Sequence, residues 1–326
     1  MAGEFDLIKR YLSAPVSCRL RRQDGYADIG SVSTGVVLGP GDDATLLLPT
    51  PGYQLAISVD TSVANVHFPA DAPPHAIGHR ALAVSLSDLA AMGAHARWYL
   101  LALTLPDAEE QWVAEMARGM HELAARSGVT LVGGDTTRGQ LSLSLTVHGE
   151  VAPEHVIRRD GAHEGEVIAV VGTVGGGAGG LREWQRGQRA PTPLLDAYLY
   201  PQPLLAEGRA LAGLASAGMD ISDGLLADLM HLCRASKVGA ILNLDALPLH
   251  PSLIKTYGIQ SARAMALHGG DDYALLLTLP EHAIVPAQQA LHVLGQTLHL
   301  IGRTVQEGIF TTLQGEPLET QGWQHF

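Results

Sequence analysis

The sequence predicts a two-domain α/β protein. With 326 residues, 46 % of them hydrophobic, the chain can bury a sizeable core and is longer than most single domains. Short apolar runs typical of strands alternate with segments of helical periodicity. The polar, turn-rich stretch 150–166 is followed by a fresh apolar run, EVIAVVGTV. We therefore expect one domain at 1–150 and a second at 151–326.

The predicted first domain begins with helical and strand patterns in turn. MAGEFDLIKRYL at the N-terminus predicts an amphipathic helix, and it has no long apolar core of the kind found in a secretory signal. The run LAISV at 55–59 predicts a buried strand that ends at Asp60. A helix pattern follows from about Ala76.

Residues 107–127 carry apolar side chains at helical spacing. Asp107 and Glu110 are placed like an N-terminal cap, and Gly128 lies just beyond the expected end. VTLVGGD then predicts a strand that stops at Asp135, and LSLSLTVHG alternates as an antiparallel strand does.

The second domain is expected to begin with a strand at EVIAVVGTV. The stretch GQRAPTPLLDAYLYPQP holds four prolines, which predicts an extended connection before a helix near Leu204. A further helix is expected after Asp223, and GAILNL and YALLLTLP predict two more strands.

Composition excludes several kinds of partner. The formal charge of -12, from 21 Lys+Arg and 33 Asp+Glu, argues against nucleic acid or an anionic membrane surface as the main partner. No uninterrupted apolar stretch reaches the roughly 18 residues of a membrane span. Cys18 and Cys233 lie far apart and outside any C-x-x-C pattern, so neither a zinc site nor a disulfide framework is indicated. A cytoplasmic location is expected.

Acidic residues recur in short loops, most of them beside glycine. Adjacent carboxylates repel each other unless a cation lies between them, and magnesium prefers oxygen ligands together with phosphate groups. For any single loop, a turn or helix-capping role is the commoner explanation, and Ser222 or Asp220 is a candidate cap for the helix that follows. Asp88 is different, because it lies inside an apolar helix pattern. The loops are Gly41-Asp42-Asp43, Asp60-Thr61-Ser62, Gly133-Gly134-Asp135-Thr136-Thr137, Asp220-Ile221-Ser222-Asp223-Gly224 and Gly269-Gly270-Asp271-Asp272.

A glycine run at 172–180 offers a competing interpretation. It satisfies G-x-G-x-x-G from Gly175 to Gly180, the pattern of dinucleotide-binding loops. So glycine-dense a run matches many patterns by chance, and we interpret it instead as a flexible loop before a helix. The P-loop, kinase H-R-D and G-x-S-x-G motifs are absent from the sequence.

Six motifs together give the chain a specific resemblance. GDD (41–43), SVDTSVANVHF (58–68), SDLAAMGA (87–94), GGDTTRG (133–139), DISDGL (220–225) and GGDDY (269–273) resemble, in order and spacing, the thiamine-monophosphate kinase family. The resemblance implies ATP-dependent phosphorylation of thiamine monophosphate to thiamine diphosphate. It also implies the two-domain fold of aminoimidazole ribonucleotide synthetase and a homodimer that pairs through its N-terminal sheets, with the partner subunit contributing to the site.

The resemblance also implies roles for individual residues. The implied Mg2+ ligands are Asp42, Asp43, Ser58, Val59 through its backbone, Asp60, Asp88, Asp135, Asp220 and Asp223. The implied contacts to ATP are Gly134, Asp135, Arg159 and Ser222. The implied contacts to thiamine monophosphate are His67, Asp271 and Trp323. The family's GGEDYE reads GGDDYA here, so Asp271 is one methylene shorter than the usual glutamate and Ala274 lacks the final carboxylate.

The expected mechanism needs no protein general base. A phosphate monoester has a second pKa of about 6, so it is largely ionised at neutral pH and ready for in-line attack on ATP. Two alternatives remain open at this stage, namely an ATP-dependent ligase of the same fold and a non-catalytic nucleotide sensor.

Overall fold

The computed structural model describes residues 8–12 and 35–319 of the chain. These residues form two compact units. The first contains the described residues up to Ser85 together with Ala96–Ala152, and the second contains Leu86–His95 and the described residues from Pro153 onward. Of the predicted N-terminal helix, Ile8–Leu12 form a single π-helical turn. Cys18 and Trp323 lie outside the described residues.

The first unit is built on a four-stranded sheet in the order β3-β6-β4-β5, beside a two-stranded ribbon, β1-β2. β3 and β6 are antiparallel and β4 and β5 are parallel, as the alternating sequence of β6 predicts for the first pair. The strands are β1 Val36–Leu38, β2 Leu46–Leu47, β3 Gln54–Val63, β4 His95–Leu105, β5 Thr130–Arg138 and β6 Ser142–Val151.

Two long helices accompany this sheet, α1 (Pro74–Ala91) and α2 (Glu110–Ser127). They touch backbone to backbone, because a Cβ on Gly78 would lie 2.0 Å from the Met116 carbonyl oxygen. The prediction that α2 ends at Gly128 is confirmed, since Gly128 adopts the left-handed conformation typical of a helix end. The predicted cap is wrong: Glu109 occupies the capping position and makes no side-chain bond to the helix.

Two strands run further than the sequence predicts. β3 continues past Asp60 to Val63, and β5 continues past Asp135 to Arg138. The reason is that pairing with the neighbouring strand persists beyond each aspartate, as in the Val63–Ser142 pair. Both carboxylates therefore lie within strands rather than in the loops that follow them.

The second unit contains a six-stranded sheet in the order β12-β9-β11-β7-β10-β8, antiparallel except between β9 and β12. Apolar side chains from strands and helices form its core, with the fully buried β7 and β10 near the sheet centre. The strands are β7 Val167–Val171, β8 Ala217–Asp220, β9 Gly239–Leu242, β10 Leu275–Leu279, β11 Leu298–Val305 and β12 Phe310–Thr312. The helices are α3 Gly176–Gln185, α4 Pro193–Leu199, α5 Leu205–Leu211, α6 Leu225–Ser236, α7 Pro251–Tyr257, α8 Ile259–His268 and α9 Ile284–Val293.

Two predictions for this unit are wrong, for related reasons. The proline-rich connection contains the helix α4, which starts with a proline at its first position and is capped by Thr192. The glycine run is no flexible loop, since α3 begins inside it. Its glycines allow close packing, because a Cβ on Gly180 would lie 2.0 Å from the Leu194 carbonyl oxygen in α4. The predicted helices near Leu204 and after Asp223 are confirmed.

Within the described part of the chain, no helix is long and apolar enough to cross a membrane.

Candidate functional site

In the first unit, the hairpin between β1 and β2 carries two of the predicted ligands. Asp42 and Asp43 are both exposed, and the backbone N–H of Asp43 donates to Asp42 Oδ1 at 2.9 Å. This bond orients one carboxylate within its own loop and leaves the two acidic groups side by side. Such a pair suits a hydrated cation, which can bind carboxylate oxygens without leaving water.

β3 places Ser58 and Asp60 on one face, because side chains two residues apart on a strand share a side. Their partners on β6, Val147 and Leu145, are buried, so this is the covered face of the sheet. Val59 lies on the other face with 63 % of its surface exposed. Because its side chain is apolar, only its backbone oxygen is a candidate ligand.

Gly134 and Asp135 lie together in the middle of β5. A Cβ on Gly134 would lie 1.8 Å from the Leu101 carbonyl oxygen, and its φ of +151° is also unfavourable for other residues. Only glycine fits, because the backbone of β4 occupies the space that a side chain would need. Asp135 is exposed and pairs in register with the exposed Ala102 of β4.

His67 follows β3 in a tight turn. Its Nδ1 accepts a hydrogen bond from the Val63 backbone N–H at 3.0 Å, so Nδ1 carries no proton in this arrangement. The ring therefore has its donor at Nε2. A fixed ring with one defined donor suits an anionic group of a substrate.

In the second unit, Asp220 is the last residue of β8 and is only 4 % exposed. The pattern of a strand that ends on an aspartate therefore holds at β8. Asp88 lies near the end of α1 and is half-buried. Arg159 is exposed, while the neighbouring Arg158 is engaged by Asp160 through bonds of 2.8 and 2.6 Å.

Sequence reasoning missed Asp228, which organises the loop before α6. Its Oδ2 accepts the backbone N–H groups of Ser222, Asp223 and Gly224 at 3.0, 3.1 and 3.2 Å. Asp228 therefore holds this loop against the first turn of α6. The predicted cap by Ser222 or Asp220 is wrong, because the capping position is Gly224, which has no side chain. Burial raises the pKa of Asp228 to about 7, and the charge of Asp223 adds to the shift. A signal was available, because Asp228 interrupts the apolar stripe of its helix as Asp88 does.

Asp272 was missed in the same way. Its two oxygens accept the backbone N–H groups of Gly175 and Gly177 at 2.6 and 3.0 Å, where α3 begins. Burial raises its pKa to about 7 against the opposing effect of these bonds. The chain's own carboxylate thus occupies the position where a dinucleotide phosphate would bind. This finding removes the structural basis for the dinucleotide-binding interpretation.

Asp271 belongs to the same region as Ser222. The Asp271 backbone N–H donates to the Ser222 carbonyl oxygen at 2.9 Å, and the Tyr273 hydroxyl donates to Asp271 Oδ1 at 2.9 Å. The structure thus brings together Ser222, Asp223 and Asp271, three of the predicted site residues.

The donor chemistry of the predicted ligands fits magnesium. Their groups are carboxylate, hydroxyl and carbonyl oxygens, the ligands that hard cations prefer. Among residues 8–12 and 35–319, no three His, Cys, Asp or Glu side chains converge on one point. Magnesium usually takes only one or two carboxylates and completes its shell with water and substrate phosphates, so this arrangement is compatible with it.

Comparison with known proteins identifies the family. The sequence-family model described as AIR synthase related protein, N-terminal domain, matches residues 41–151. The family model of the corresponding C-terminal domain matches residues 163–313. The thiamine-monophosphate kinase of Escherichia coli K12 is 40 % identical, with 99 % of this chain and 98 % of the relative covered. This chain belongs to the thiamine-monophosphate kinase family. The resemblance in the six motifs and the expected two-domain α/β fold are both confirmed.

Solved structures of thiamine-monophosphate kinases have the same fold as this chain. The kinase from Stenotrophomonas maltophilia K279a has a TM-score of 0.83 and 40 % identity, covering 88 % of this chain and 93 % of that one. AaThiL complexed with AMPPCP and TMP has a TM-score of 0.77 and 30 % identity, covering 86 % and 89 %. The prediction that the chain is an enzyme of this kinase family is confirmed.

Proposed function

We propose that this protein transfers the γ-phosphoryl group of ATP to thiamine monophosphate and so forms thiamine diphosphate. The observation that carries the proposal is the end-to-end 40 % identity with a thiamine-monophosphate kinase. A related protein of 30 % identity has been solved with AMPPCP and TMP. All six motifs of the resemblance are present in this chain.

Magnesium ions are the proposed cofactor. When bound, they neutralise phosphate charge and hold the donor and acceptor groups close together. Within this chain the aspartates act by placing oxygen ligands on rigid strands and loops. The residues proposed to hold the ions are Asp42, Asp43, Ser58, Val59, Asp60, Asp88, Asp135, Asp220 and Asp223.

The remaining residues bind and orient the two substrates. For ATP, Gly134 and Asp135 are proposed contacts from β5, while Arg159 and Ser222 supply a cation and a hydroxyl. For thiamine monophosphate, His67 offers its Nε2–H to an anionic group, and Asp271 offers a carboxylate to the cationic thiazolium ring. Trp323 is a third proposed contact to this substrate. The acceptor phosphate is already ionised near neutral pH, so in-line attack needs no protein base.

A homodimer that pairs through the first unit is part of the proposal. The open face of β3 and the residue just before it carry an apolar stripe, defined as Tyr53, Leu55, Ile57 and Val59, which are 46–63 % exposed. A contiguous exposed apolar surface on an edge strand is typical of a protein interface. We propose that the partner subunit covers this stripe and completes the active site, and that the 1–150 domain therefore serves both nucleotide binding and dimerisation.

The deciding experiment is an assay of purified protein with MgATP and thiamine monophosphate that follows ADP, thiamine diphosphate and free phosphate together. Equal amounts of ADP and thiamine diphosphate, without free phosphate and abolished by EDTA, are expected. Free phosphate released with ADP would instead indicate a ligase of the same fold. Tight nucleotide binding without any turnover would indicate a sensor.

A further inference from the structure

Asp272 ties a distant loop to the start of α3. Its carboxylate accepts the N–H groups of Gly175 at 2.6 Å and Gly177 at 3.0 Å, nearly one hundred residues earlier in the chain. The first N–H groups of a helix have no partner within the helix, so they bind a carboxylate well. This bidentate contact fixes the position of Asp272 relative to the helix.

The residues on both sides of Asp272 have unusual backbone conformations. Asp271 has φ of +70° and Tyr273 has φ of +52°, values that are rare for residues other than glycine. Such conformations persist only where the surroundings hold them. Here the N–H groups of Asp271 and Tyr273 donate to the carbonyl oxygens of Ser222 and Ile221 at 2.9 and 2.8 Å.

Glycines bring three segments into backbone contact. We call this contact the three-segment junction, formed by residues 175–178, 221–224 and 269–273. A Cβ on Gly177 would lie 2.3 Å from the Asp271 carbonyl oxygen, and one on Gly270 would lie 2.3 Å from the Ser222 carbonyl oxygen. No side chain fits at either position. The junction therefore holds the start of α3 in direct backbone contact with Asp271.

We propose that Asp272 is a positioning residue for the acceptor substrate, which holds Asp271 in its left-handed conformation and so aims the Asp271 carboxylate. The inference rests on the proposed function, in which Asp271 contacts thiamine monophosphate. The Tyr273 hydroxyl, bonded to Asp271 Oδ1 at 2.9 Å, fixes the same carboxylate from the other side. The glycine run thus allows the start of α3 to pack against Asp271, and it does not bind a dinucleotide.

A purely structural cap and a positioning residue predict different kinetics. Loss of a cap alone lowers stability and leaves the substrate affinities of the folded enzyme unchanged. Loss of positioning weakens thiamine monophosphate selectively, because Asp271 is proposed to contact that substrate and not ATP. The ratio of the two KM values therefore separates the roles.

The test compares Asp272→Ala and Gly177→Ala with the control Gly180→Ala. The control removes another glycine of α3, where a Cβ meets Leu194 rather than Asp271. We expect KM for thiamine monophosphate to rise about tenfold in both test variants, with KM for ATP within about twofold of wild type. The control is expected to lower the melting temperature without changing the ratio of KM values. Equal changes in both KM values, or none, in the folded test variants would overturn the proposal.

A double-variant cycle tests whether Asp272 acts through Asp271. If it does, Asp272→Ala adds little to the rise in KM already caused by Asp271→Asn. Additive effects would contradict the proposal.

Hydrogen exchange of the Asp271 amide provides a readout that does not require turnover. We expect this amide to exchange faster in Asp272→Ala and at the wild-type rate in Gly180→Ala. An unchanged rate in Asp272→Ala would refute the proposal that Asp272 holds Asp271 in place. If the wild-type protein does not turn over thiamine monophosphate, only the proposed function is refuted. The exchange measurement would still show whether Asp272 holds Asp271 in place. Asp272→Asn, which retains one oxygen acceptor, is expected to lie between wild type and Asp272→Ala.

Discussion

Asp60 and Asp135 lie on the two opposite edge strands of the four-stranded sheet, with β6 and β4 between them. Three strand spacings separate the backbones of these two strands, or about 14 Å, which is more than two aspartate side chains and a shared ion would span. Oxygen ligands of one magnesium ion lie no more than about 4 Å apart, since each is about 2 Å from the metal. The two carboxylates of one chain therefore do not share an ion. They serve different ions, or they meet across a dimer.

Subunit complementation distinguishes these arrangements. We expect Asp60→Asn and Asp135→Asn to be inactive alone, and co-expression of the two to restore activity if one site takes Asp60 from one subunit and Asp135 from the other. Random pairing makes about half of the dimers mixed, each with one intact site, so about a quarter of wild-type activity is expected. A mixture no more active than its components would show that both residues act from the same chain.

Asp135→Asn alone is expected to reduce kcat by at least about a hundredfold, because it removes a charge proposed to hold magnesium against the phosphates. Asp135 is exposed, so the melting temperature should stay within about 2 °C of wild type. Asp107→Asn is the matched control, since Asp107 is an exposed carboxylate that carries no proposed role. Steady-state kinetics and thermal melts measure both effects. Full activity of folded Asp135→Asn would argue against the metal assignment.

The apolar stripe makes a prediction about assembly. Ile57→Lys places a charge in its centre, where Ile57 is 58 % exposed, and is expected to convert dimer to monomer. Val293→Lys is the control, because Val293 is 84 % exposed in the second unit and lies outside the stripe. Light scattering after size-exclusion chromatography gives the mass of each variant. A dimeric Ile57→Lys protein would place the interface elsewhere.

Asp272 predicts a specific pH dependence of stability. Its pKa is raised by burial from an ordinary value of 3.8 to about 7, so between these pH values the folded state binds a proton that the unfolded state does not. Stability therefore decreases as pH rises from about 4 to 7, with a slope of up to about 1.4 kcal/mol per pH unit from this group. Asp272→Asn removes this contribution. Urea unfolding of both proteins at several pH values should show the difference in slope, and parallel curves would contradict it.

The sequence by itself identified the family and predicted most of the helices and strands. Periodicity located α2 and α6, and the glycine at 128 marked a helix end, because these signals depend on local backbone preference and on one buried face. The six motifs identified the family, because a set of aspartate loops in fixed order is far more specific than any one of them. None of this required knowledge of which segments meet in space.

Only the tertiary structure shows the roles of the glycine run and of the buried carboxylates of Asp228 and Asp272. In the sequence, the run at 172–180 resembles a flexible or phosphate-binding loop. In the structure it begins α3, and the N–H groups of Gly175 and Gly177 donate hydrogen bonds to Asp272. Asp228 binds the loop before α6 for the same reason, since a buried carboxylate must find donors and the nearest ones belong to folded backbone. The placement of Asp60 and Asp135 on opposite edges likewise depends on strand order. Strand order is fixed by packing over long sequence separations, so no local pattern in the sequence encodes it.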